Sequence, residues 1–408
     1  MRHDYDLLII GGGAAGFFTA INTAHMNRDL KIAILERGKE VLTKVKVSGG
    51  GRCNVTHAEF MPDELVKKYP RGEKELLGPF HRFMTGDTIT WFEERGVALK
   101  IEEDGRMFPI SDSSQTIIDC FMNETKRLGI EILKQRAVKA IGKGNSHWEV
   151  ETSAAVYSAS KVVIATGSNP KIWKLLEDLG HTIVPPVPSL FTFNINDKRI
   201  TNLSGIATEA WVTILDDEGK ALLSSDGPLL ITHWGMSGPA ILKLSAWGAR
   251  VLKPMNYKFM IRVNWVPDST ADVLTDMMKT LKLEIARKKV SGTAQFGLPK
   301  RLWNSMVGAS GIDDDETWAD ITKEKIAELV NEITGGMYQV DGKSTFKEEF
   351  VTAGGVELKE INFKTFESKL LPGMFFAGEV LNIDAITGGF NFQNAWTGGY
   401  LAAKAITE

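Results

Sequence analysis

Three glycines near the start of the chain have the spacing of a dinucleotide-binding turn. Gly11, Gly13 and Gly16 satisfy GxGxxG, directly after the apolar run YDLLII and before a segment that reads as helix. The first glycine permits a tight turn, the second lets backbone approach a pyrophosphate, and the third allows close helix-to-strand packing. Glu36 ends the next apolar run, KIAIL, where its carboxylate can accept hydrogen bonds from ribose hydroxyls. The pattern predicts a bound dinucleotide, although it does not separate NAD from FAD.

A second glycine-rich stretch, TKVKVSGGGRCN, covers residues 43–54. Its polar side chains suit contact with an extended cofactor beyond the pyrophosphate, and the alternative interpretation is a surface loop. Near the other end of the chain, the strand-like MFFA leads into Gly378 and Glu379, which places a carboxylate where a ribityl hydroxyl could be held. The following GGFNFQN opens a final helix, whose free amides could stabilise negative charge on a flavin ring.

The elements around these motifs predict an α/β fold with an insertion. Buried strands alternate with helices up to a return strand that ends in ATG, and a proline-rich stretch at 185–188 marks a change to antiparallel strand patterns. We predict one domain from 1–190 and 355–408 and an inserted domain over 191–354. Within the insertion, we expect a β part over 191–265 and 340–354 and a helical part over 266–339.

Composition narrows the class of protein. A chain of 408 residues, with 43% apolar and 24% charged residues, is typical of two or three globular domains. Two cysteines without CxxC spacing favour a reducing, cytoplasmic location and give no support for a metal site. A net charge of −3 and the lack of a long apolar run predict a small-molecule partner, with neither nucleic acid nor membrane as partner.

The motifs GGGAAG, VSGGGRCN, IATG, THWGMSGP, TAGGV and FFAGEVLNIDAITGGFNFQNAW together resemble the bacterial YhiN-type flavoprotein family from end to end. Relatives in that family include aminoacetone oxidase and BaiN-type steroid-ring reductases. The resemblance implies non-covalent FAD in a glutathione-reductase-type, Rossmann-like domain that is split by an inserted domain with a β-barrel-like and a helical part.

The resemblance also implies which residues contact the cofactor. Those expected at the ADP half are Gly11, Gly13, Ala14, Ala15, Gly16, Glu36, Arg37, Val138, Ala165, Thr166 and Gly167. Those expected along the rest of the cofactor are Lys44, Ser48, Gly49, Gly50, Arg52, Cys53, Asn54, Gly378, Glu379, Gly388, Gly389, Phe390, Asn391 and Gln393.

The candidate catalytic group is His233, in the glycine-rich turn THWGMSGP of the insertion. A histidine suits proton transfer at neutral pH, and the alternative is a packed or capping side chain. Cys53 could touch the flavin, but a small buried thiol is the default interpretation. We expect the substrate pocket between the two domains.

These residues predict an oxidoreductase that transfers a hydride equivalent between a small organic substrate and FAD. No second GxGxxG follows a later strand, so NAD(P)H, if it is the second partner, must meet the flavin directly; oxygen is the other candidate. The alternatives are a flavin-dependent RNA-modifying protein and a non-catalytic flavin redox sensor. The sequence leaves open the substrate, the direction of the reaction and the oligomeric state.

Overall fold

The computed structural model describes residues 2–144, 147–344 and 351–408. In chain order, the strands are β1 (Arg2–Ile10), β2 (Ile32–Leu35), β3 (Thr56–His57), β4 (Leu99–Ile101), β5 (Arg106–Pro109), β6 (Glu131–Leu133), β7 (Val138–Lys143), β8 (Trp148–Thr152), β9 (Val156–Ile164), β10 (Ile183–Ser189), β11 (Thr192–Asn194), β12 (Ala207–Leu215), β13 (Ala221–Thr232), β14 (Gly235–Ser237), β15 (Lys258–Asn264), β16 (Gly336–Asp341), β17 (Lys343–Ser344), β18 (Val351–Val356), β19 (Ile361–Asn362), β20 (Glu367–Ser368) and β21 (Met374–Phe376).

The helices are α1 (Ala14–Met26), α2 (Thr43–Gly51), α3 (Pro62–Val66), α4 (Glu73–Phe80), α5 (Thr85–Glu93), α6 (Ser114–Arg127), α7 (Pro170–Asp178), α8 (Pro239–Trp247), α9 (Ala249–Leu252), α10 (Ala271–Glu284), α11 (Lys300–Ala309), α12 (Lys323–Gly335) and α13 (Phe390–Thr407). The chain divides into two compact units, Met1–Val187 with Lys347–Glu408 and Pro188–Phe346. Among the helices of the described ranges, none combines the length and apolar character needed to cross a membrane.

The first unit is built around a sheet in the order β19-β20-β21-β9-β1-β2-β6, and β7 and β8 join it at β9. The strands β21, β9, β1, β2 and β6 run parallel. All four residues of β2 are buried, as are Leu7 to Ile10 of β1, because helices cover both faces of a parallel sheet. A small antiparallel sheet of β3, β5 and β4 lies beside it in the chain's first unit.

The second unit contains an antiparallel sheet in the order β16-β15-β12-β13-β14-β11-β17. Its inward residues alternate along each strand, for example Ala210, Val212 and Ile214 on β12, and they pack with α8, α11 and α12 in one apolar core. The helical part predicted to reach residue 339 ends earlier, because β16 begins at Gly336 and pairs with β15.

The unit boundaries differ from the predicted ones at 190 and 355 and lie after Val187 and before Lys347. The prolines at 185–188 do not form an irregular linker; they lie within β10, which pairs with β18 in a two-stranded sheet. Prolines are tolerated there because a strand with one neighbour needs few ladder hydrogen bonds. Residues 351–354, which we assigned to the insertion, are therefore part of the first unit.

Candidate functional site

Four parallel strands of the first unit end at the same edge of the sheet. The register pairs Ile10 with Leu35 and with Ile164, and it pairs Ile164 with Phe376. The segments that follow these strands are Gly11–Gly16, Glu36–Arg37, Ala165–Gly167 and Gly378–Glu379. Residues far apart in the chain therefore meet at the carboxyl edge, where ligands bind in open α/β sheets.

The turn before α1 leaves space for a ligand at one glycine and none at the other two. A side chain at Gly11, whose φ is +119°, would clash with the Ala165 carbonyl, and one at Gly16 would clash with the Gly11 carbonyl. A Cβ at Gly13 would have no atom within 4 Å. Gly13 is the N-cap of α1 and no side chain caps this end, so the first amides of the helix are available to an anion.

Glu36 is fixed at the sheet edge by backbone amides. Its Oε2 accepts a hydrogen bond from Gly12 N at 2.9 Å, and its Oε1 accepts one from Gly38 N at 2.6 Å. Each carboxylate oxygen retains a lone pair for a further donor. Arg37 is exposed, and Arg136 N donates to the Glu36 carbonyl, which holds the segment before Val138 beside the same edge.

Lys44 and Glu379 meet across 335 residues of sequence. The Lys44 ammonium lies 2.7 Å from Glu379 Oε2, with the carboxylate 15% exposed and the lysine 56% exposed. Gly167, whose φ is +60°, lies next to this carboxylate, since a Cβ there would be 3.6 Å from Glu379 Oε2. Ala377 N donates to the Ile164 carbonyl, so the strand that precedes Glu379 is anchored on β9. Glu379 therefore lies at the same sheet edge as Glu36.

The glycine-rich stretch forms α2 with a kink, where Ser48 is extended and Gly49 and Gly50 have φ of 57° and 68°. Ser48 Oγ donates to the Val45 carbonyl, and a Cβ at Gly50 would have no atom within 4 Å. Arg52 points to protein groups, since it pairs with Glu102 and Asp112 and stacks over the Phe108 ring at 3.9 Å. These two carboxylates balance the charge of the guanidinium, and the contact of Arg52 with the cofactor stays a prediction.

Cys53 and Asn54 are both buried directly after this helix. Burial raises the pKa of the Cys53 thiol to about 12, so the group is a neutral thiol at physiological pH and a poor nucleophile. Asn54 is 8% exposed and its Oδ1 accepts from Met107 N at 3.3 Å. The structure thus supports the default interpretation of Cys53 as a packed residue.

The start of α13 is packed more closely than the start of α1. Gly388 and Gly389 have φ of 130° and 95°, and a Cβ on Gly389 would lie 2.6 Å from the Thr56 carbonyl oxygen. Phe390 is buried, and its carbonyl accepts a hydrogen bond from the Tyr69 hydroxyl at 2.6 Å. The two glycines therefore let this turn approach the β3 backbone, and Phe390 contributes to the core.

Two polar side chains of α13 that we expected at the flavin are engaged within the protein. Asn391 exchanges two hydrogen bonds with the backbone of Ala385. Gln393 is fully buried; its Oε1 accepts from Thr56 and Thr88, and its Nε2 donates to Thr397. These partners give Gln393 a structural role within the protein, and its contact with a flavin ring stays a prediction.

Sequence reasoning missed two groups beside this turn. His57 Nδ1 lies 3.1 Å from the Gly388 carbonyl, and the ring stacks on Phe390 with centroids 4.5 Å apart. Burial lowers the pKa of His57, so the ring is neutral at pH 7. Arg71 forms a two-pronged ion pair with the fully buried Asp384. His57 follows the motif VSGGGRCN closely, but no motif in the sequence points to Arg71.

His233 belongs to the second unit, on the exposed turn between β13 and β14. The predicted cofactor-binding residues, by contrast, all belong to the first unit. The role of His233 in proton transfer therefore stays a prediction.

The residues at the sheet edge fit the ADP half of a dinucleotide. The uncapped α1 amides and the open space over Gly13 match a pyrophosphate, and the Glu36 carboxylate matches a pair of ribose hydroxyls. A family profile described as "HI0933-like protein Rossmann domain" matches residues 5–405. The chain belongs to this family.

Curated relatives cover nearly the whole chain. A ribosomal RNA dihydrouridine synthase of Haemophilus influenzae is 30% identical, with 98% of each chain covered. A 3-dehydro-bile acid delta(4,6)-reductase of Clostridium scindens is 26% identical, again with 98% of each chain covered. A solved structure of a 3-ketosteroid-delta4-(5alpha)-dehydrogenase from Rhodococcus jostii aligns with a TM-score of 0.54 at 13% identity, covering 100% of this chain and 97% of that one.

These findings confirm the predicted YhiN-type family, the Rossmann-like fold and the class of FAD-dependent oxidoreductase. The prediction that nucleic acid is not a partner is not supported, because one relative is named for a reaction on ribosomal RNA.

Proposed function

We propose that this protein is an FAD-dependent reductase of a C=C bond conjugated to a carbonyl group, with a small organic molecule as substrate. The observation that carries this proposal is the reaction shared by two relatives that match 98% of the chain. Dihydrouridine is uridine with the C=C bond beside a ring carbonyl saturated. The bile-acid name specifies a 3-oxo group with double bonds at positions 4 and 6, which is the same conjugated arrangement.

The first unit would be the FAD-binding domain and the second unit the inserted domain. The α1 amides would bind the pyrophosphate, Glu36 the adenosine ribose and Glu379 the ribityl chain. The positive end of α13 would stabilise negative charge at the flavin ring through backbone amides, because its polar side chains are used elsewhere. Bound FAD would supply a hydride to the carbon β to the carbonyl.

The second hydrogen reaches the α carbon as a proton, and His233 is our candidate donor. It is exposed, and none of the described residues hydrogen-bonds its side chain, so its ring nitrogens are available. Loss of a general acid slows a reaction by about 10²–10⁴-fold. We therefore expect His233→Ala to retain FAD and to slow substrate reduction by about 10²-fold.

NAD(P)H is the proposed electron donor, because each C=C bond reduced requires two electrons. Anaerobic mixing of the FAD-loaded protein with NADH or NADPH should bleach the visible flavin absorbance. If neither nicotinamide bleaches it, another donor must supply the electrons.

The test of the reaction uses photoreduced protein mixed anaerobically with a matched substrate pair. A cyclic enone should restore the oxidised flavin spectrum and yield the saturated ketone, whereas the saturated ketone alone should leave the spectrum unchanged. The proposal fails if no conjugated carbonyl compound reoxidises the flavin faster than buffer does. Bleaching of the oxidised flavin by a primary amine would instead indicate an oxidase.

A second candidate substrate is uridine within RNA, favoured by the 30% identity to the ribosomal RNA dihydrouridine synthase. Ribosomal RNA incubated with the reduced protein would then gain two hydrogen atoms at a uridine, detectable by mass spectrometry of nucleosides. Reduction of RNA without reduction of any free enone would select this substrate over the small molecule.

A further inference from the structure

The outer face of the second unit's sheet carries an exposed tryptophan and an exposed arginine. On β12, Ala210, Val212 and Ile214 point into the core, so Trp211 and Thr213 lie on the opposite face. Trp211 is exposed there, whereas Thr213 is buried and hydrogen-bonded to Ser224. The register places Asn264 of β15 opposite Trp211 and Arg262 opposite Thr213. Directly opposite residues have Cβ atoms about 5 Å apart, so Trp211 and Arg262 are diagonal neighbours on this face.

The C-terminal end of α12 forms one wall of a cavity over this face. The cavity has a volume of about 530 Å³ and is lined by Trp211, Thr213, Arg262, Asn264, Asn331, Thr334, Gly335 and Met337. That volume is within the roughly 300–1,000 Å³ typical of small-molecule sites. Met337 of β16 lies opposite Arg262 of β15 and contributes an apolar side chain to the cavity lining.

Three polar side chains of the cavity, Arg262, Asn331 and Asn264, have donors that the protein does not use in the described ranges. None of the described residues hydrogen-bonds or ion-pairs the Arg262 guanidinium, and the Asn331 carboxamide is likewise without a partner in the described ranges. Asn264 uses its Oδ1 to accept from Val266 N, which leaves its amide hydrogens. A neighbouring arginine on the same unit, Arg199, is by contrast neutralised by Asp197 and Glu332.

An exposed indole beside an unpaired guanidinium selects a particular ligand chemistry. Trp211 is 46% exposed, although a tryptophan on an antiparallel sheet normally finds cover. Nucleobases stack on aromatic side chains, guanidinium groups bind phosphate, and carboxamides hydrogen-bond base edges. The eight lining residues include no carboxylate to repel a phosphate.

We infer that this cavity binds a nucleotide unit, with the base on Trp211, the phosphate on Arg262 and the base edge at Asn264 and Asn331. The inference concerns binding by the second unit alone and does not depend on the proposed reduction. The same unit occurs in a free mononucleotide and in single-stranded RNA, and the experiment distinguishes these sources.

The experiment measures binding to the full-length protein saturated with FAD, so that the probes do not enter the flavin site. The probes are UMP, AMP, uridine without phosphate, and a short fluorescent oligouridylate. The variants are Trp211→Ala and Arg262→Gln, and the matched controls are Trp247→Ala and Arg287→Gln, which are exposed residues of the same unit outside the cavity lining.

We expect Trp211→Ala to weaken nucleotide binding about 10-fold or more, because one base stack is lost. Arg262→Gln should weaken UMP binding about 10–100-fold and leave uridine binding unchanged. For the oligonucleotide, this variant should also lower the slope of log affinity against log salt by about 0.7. The controls should match the wild type.

If UMP or AMP binds and both Trp211→Ala and Arg262→Gln weaken that binding, the site takes free nucleotides. If only the oligouridylate binds and the two variants weaken it, the site takes single-stranded RNA. The inference is overturned if no probe binds, or if Trp211→Ala and Arg262→Gln bind every probe as the wild type does. Because reduction is not measured, failure of the proposed function would not alter either outcome.

Discussion

The helices α1 and α13 of the first unit both begin directly after consecutive glycines, but the two starts are packed differently. Neither helix has a side-chain cap at its start, and at α1 a Cβ on Gly13 would have no atom within 4 Å. At α13, Gly389 is in close contact with the Thr56 backbone and Gln393 is bonded to three threonines. The open start leaves space over Gly13 that we propose for the cofactor, and the packed start joins α13 to the neighbouring elements through Gly389 and Gln393. Glycine-rich sequence alone does not distinguish these two uses.

The largest expected effect concerns the packed start. Arg71→Gln removes the guanidinium charge that pairs with the fully buried Asp384 carboxylate, which should lower the free energy of unfolding by about 3–5 kcal/mol. Denaturant unfolding of the apoprotein measures this change. Lys67→Gln, which removes an exposed ion pair with Glu64, is the control and should leave the midpoint in place. Equal midpoints for both variants would show that the loop before α13 is not held by Arg71.

Two alanine substitutions separate packing from binding at the open start. Gly16→Ala puts a methyl group against the Gly11 carbonyl and should destabilise the apoprotein by about 3 kcal/mol. Gly13→Ala meets no protein atom, so the apoprotein should melt as the wild type does while FAD affinity falls about 10-fold. Thermal unfolding without FAD and titration with FAD measure the two effects. A destabilised Gly13→Ala apoprotein would remove the distinction between the two glycines.

A substitution of Glu379, which follows β21 at the sheet edge, tests the contribution of this carboxylate to FAD affinity. Glu379→Ala should lose a charge-assisted hydrogen bond to the ribityl chain of roughly 1.5–3 kcal/mol, which is on the order of tenfold to a hundredfold in FAD affinity. Lys44→Ala removes only the largely exposed partner of this carboxylate and should change affinity less than about threefold. Equal losses in the two variants would mean that the ion pair, rather than a contact of Glu379 with FAD, supports binding.

A substitution of Gln393 tests whether the start of α13 supports stability rather than FAD binding. Gln393→Ala removes the acceptor of the buried Thr56 and Thr88 hydroxyls, whereas the Thr397 hydroxyl still donates to the Phe83 carbonyl. The expected cost is about 1–3 kcal/mol in unfolding free energy. The folded protein should still bind FAD with an affinity within about threefold of the wild type. A large loss of affinity at unchanged stability would return Gln393 to the cofactor site.

The smallest effect is the pH dependence of His57. Burial lowers the pKa of this ring in the folded protein below the ordinary 6.5, so the unfolded chain binds the proton more readily. The contribution is complete above pH 6.5 and is lost as the pH falls toward the folded pKa. Unfolding free energies measured across this range should fall less steeply on acidification in His57→Phe than in the wild type. Parallel curves would contradict a role for His57 in this pH range.

The sequence by itself determined the open start and the fold class around it. The sequence predicted a dinucleotide-binding turn at Gly11, Gly13 and Gly16, with Glu36 after the next strand. This prediction was possible because binding of a pyrophosphate by backbone amides needs glycines at a fixed local spacing directly after a strand. The helices and strands near these motifs follow from local hydrophobic periodicity for the same reason.

Only the tertiary structure decided what the packed start does and where the units divide. Gln393 bonds Thr56 across 337 residues, Arg71 pairs with Asp384 across 313, and the prolines of β10 become a strand through pairing with β18. The face with Trp211 and Arg262 likewise depends on the register between β12 and β15. These partners meet because the chain folds back over long distances, and a local pattern of residues carries no information about which distant group completes each bond.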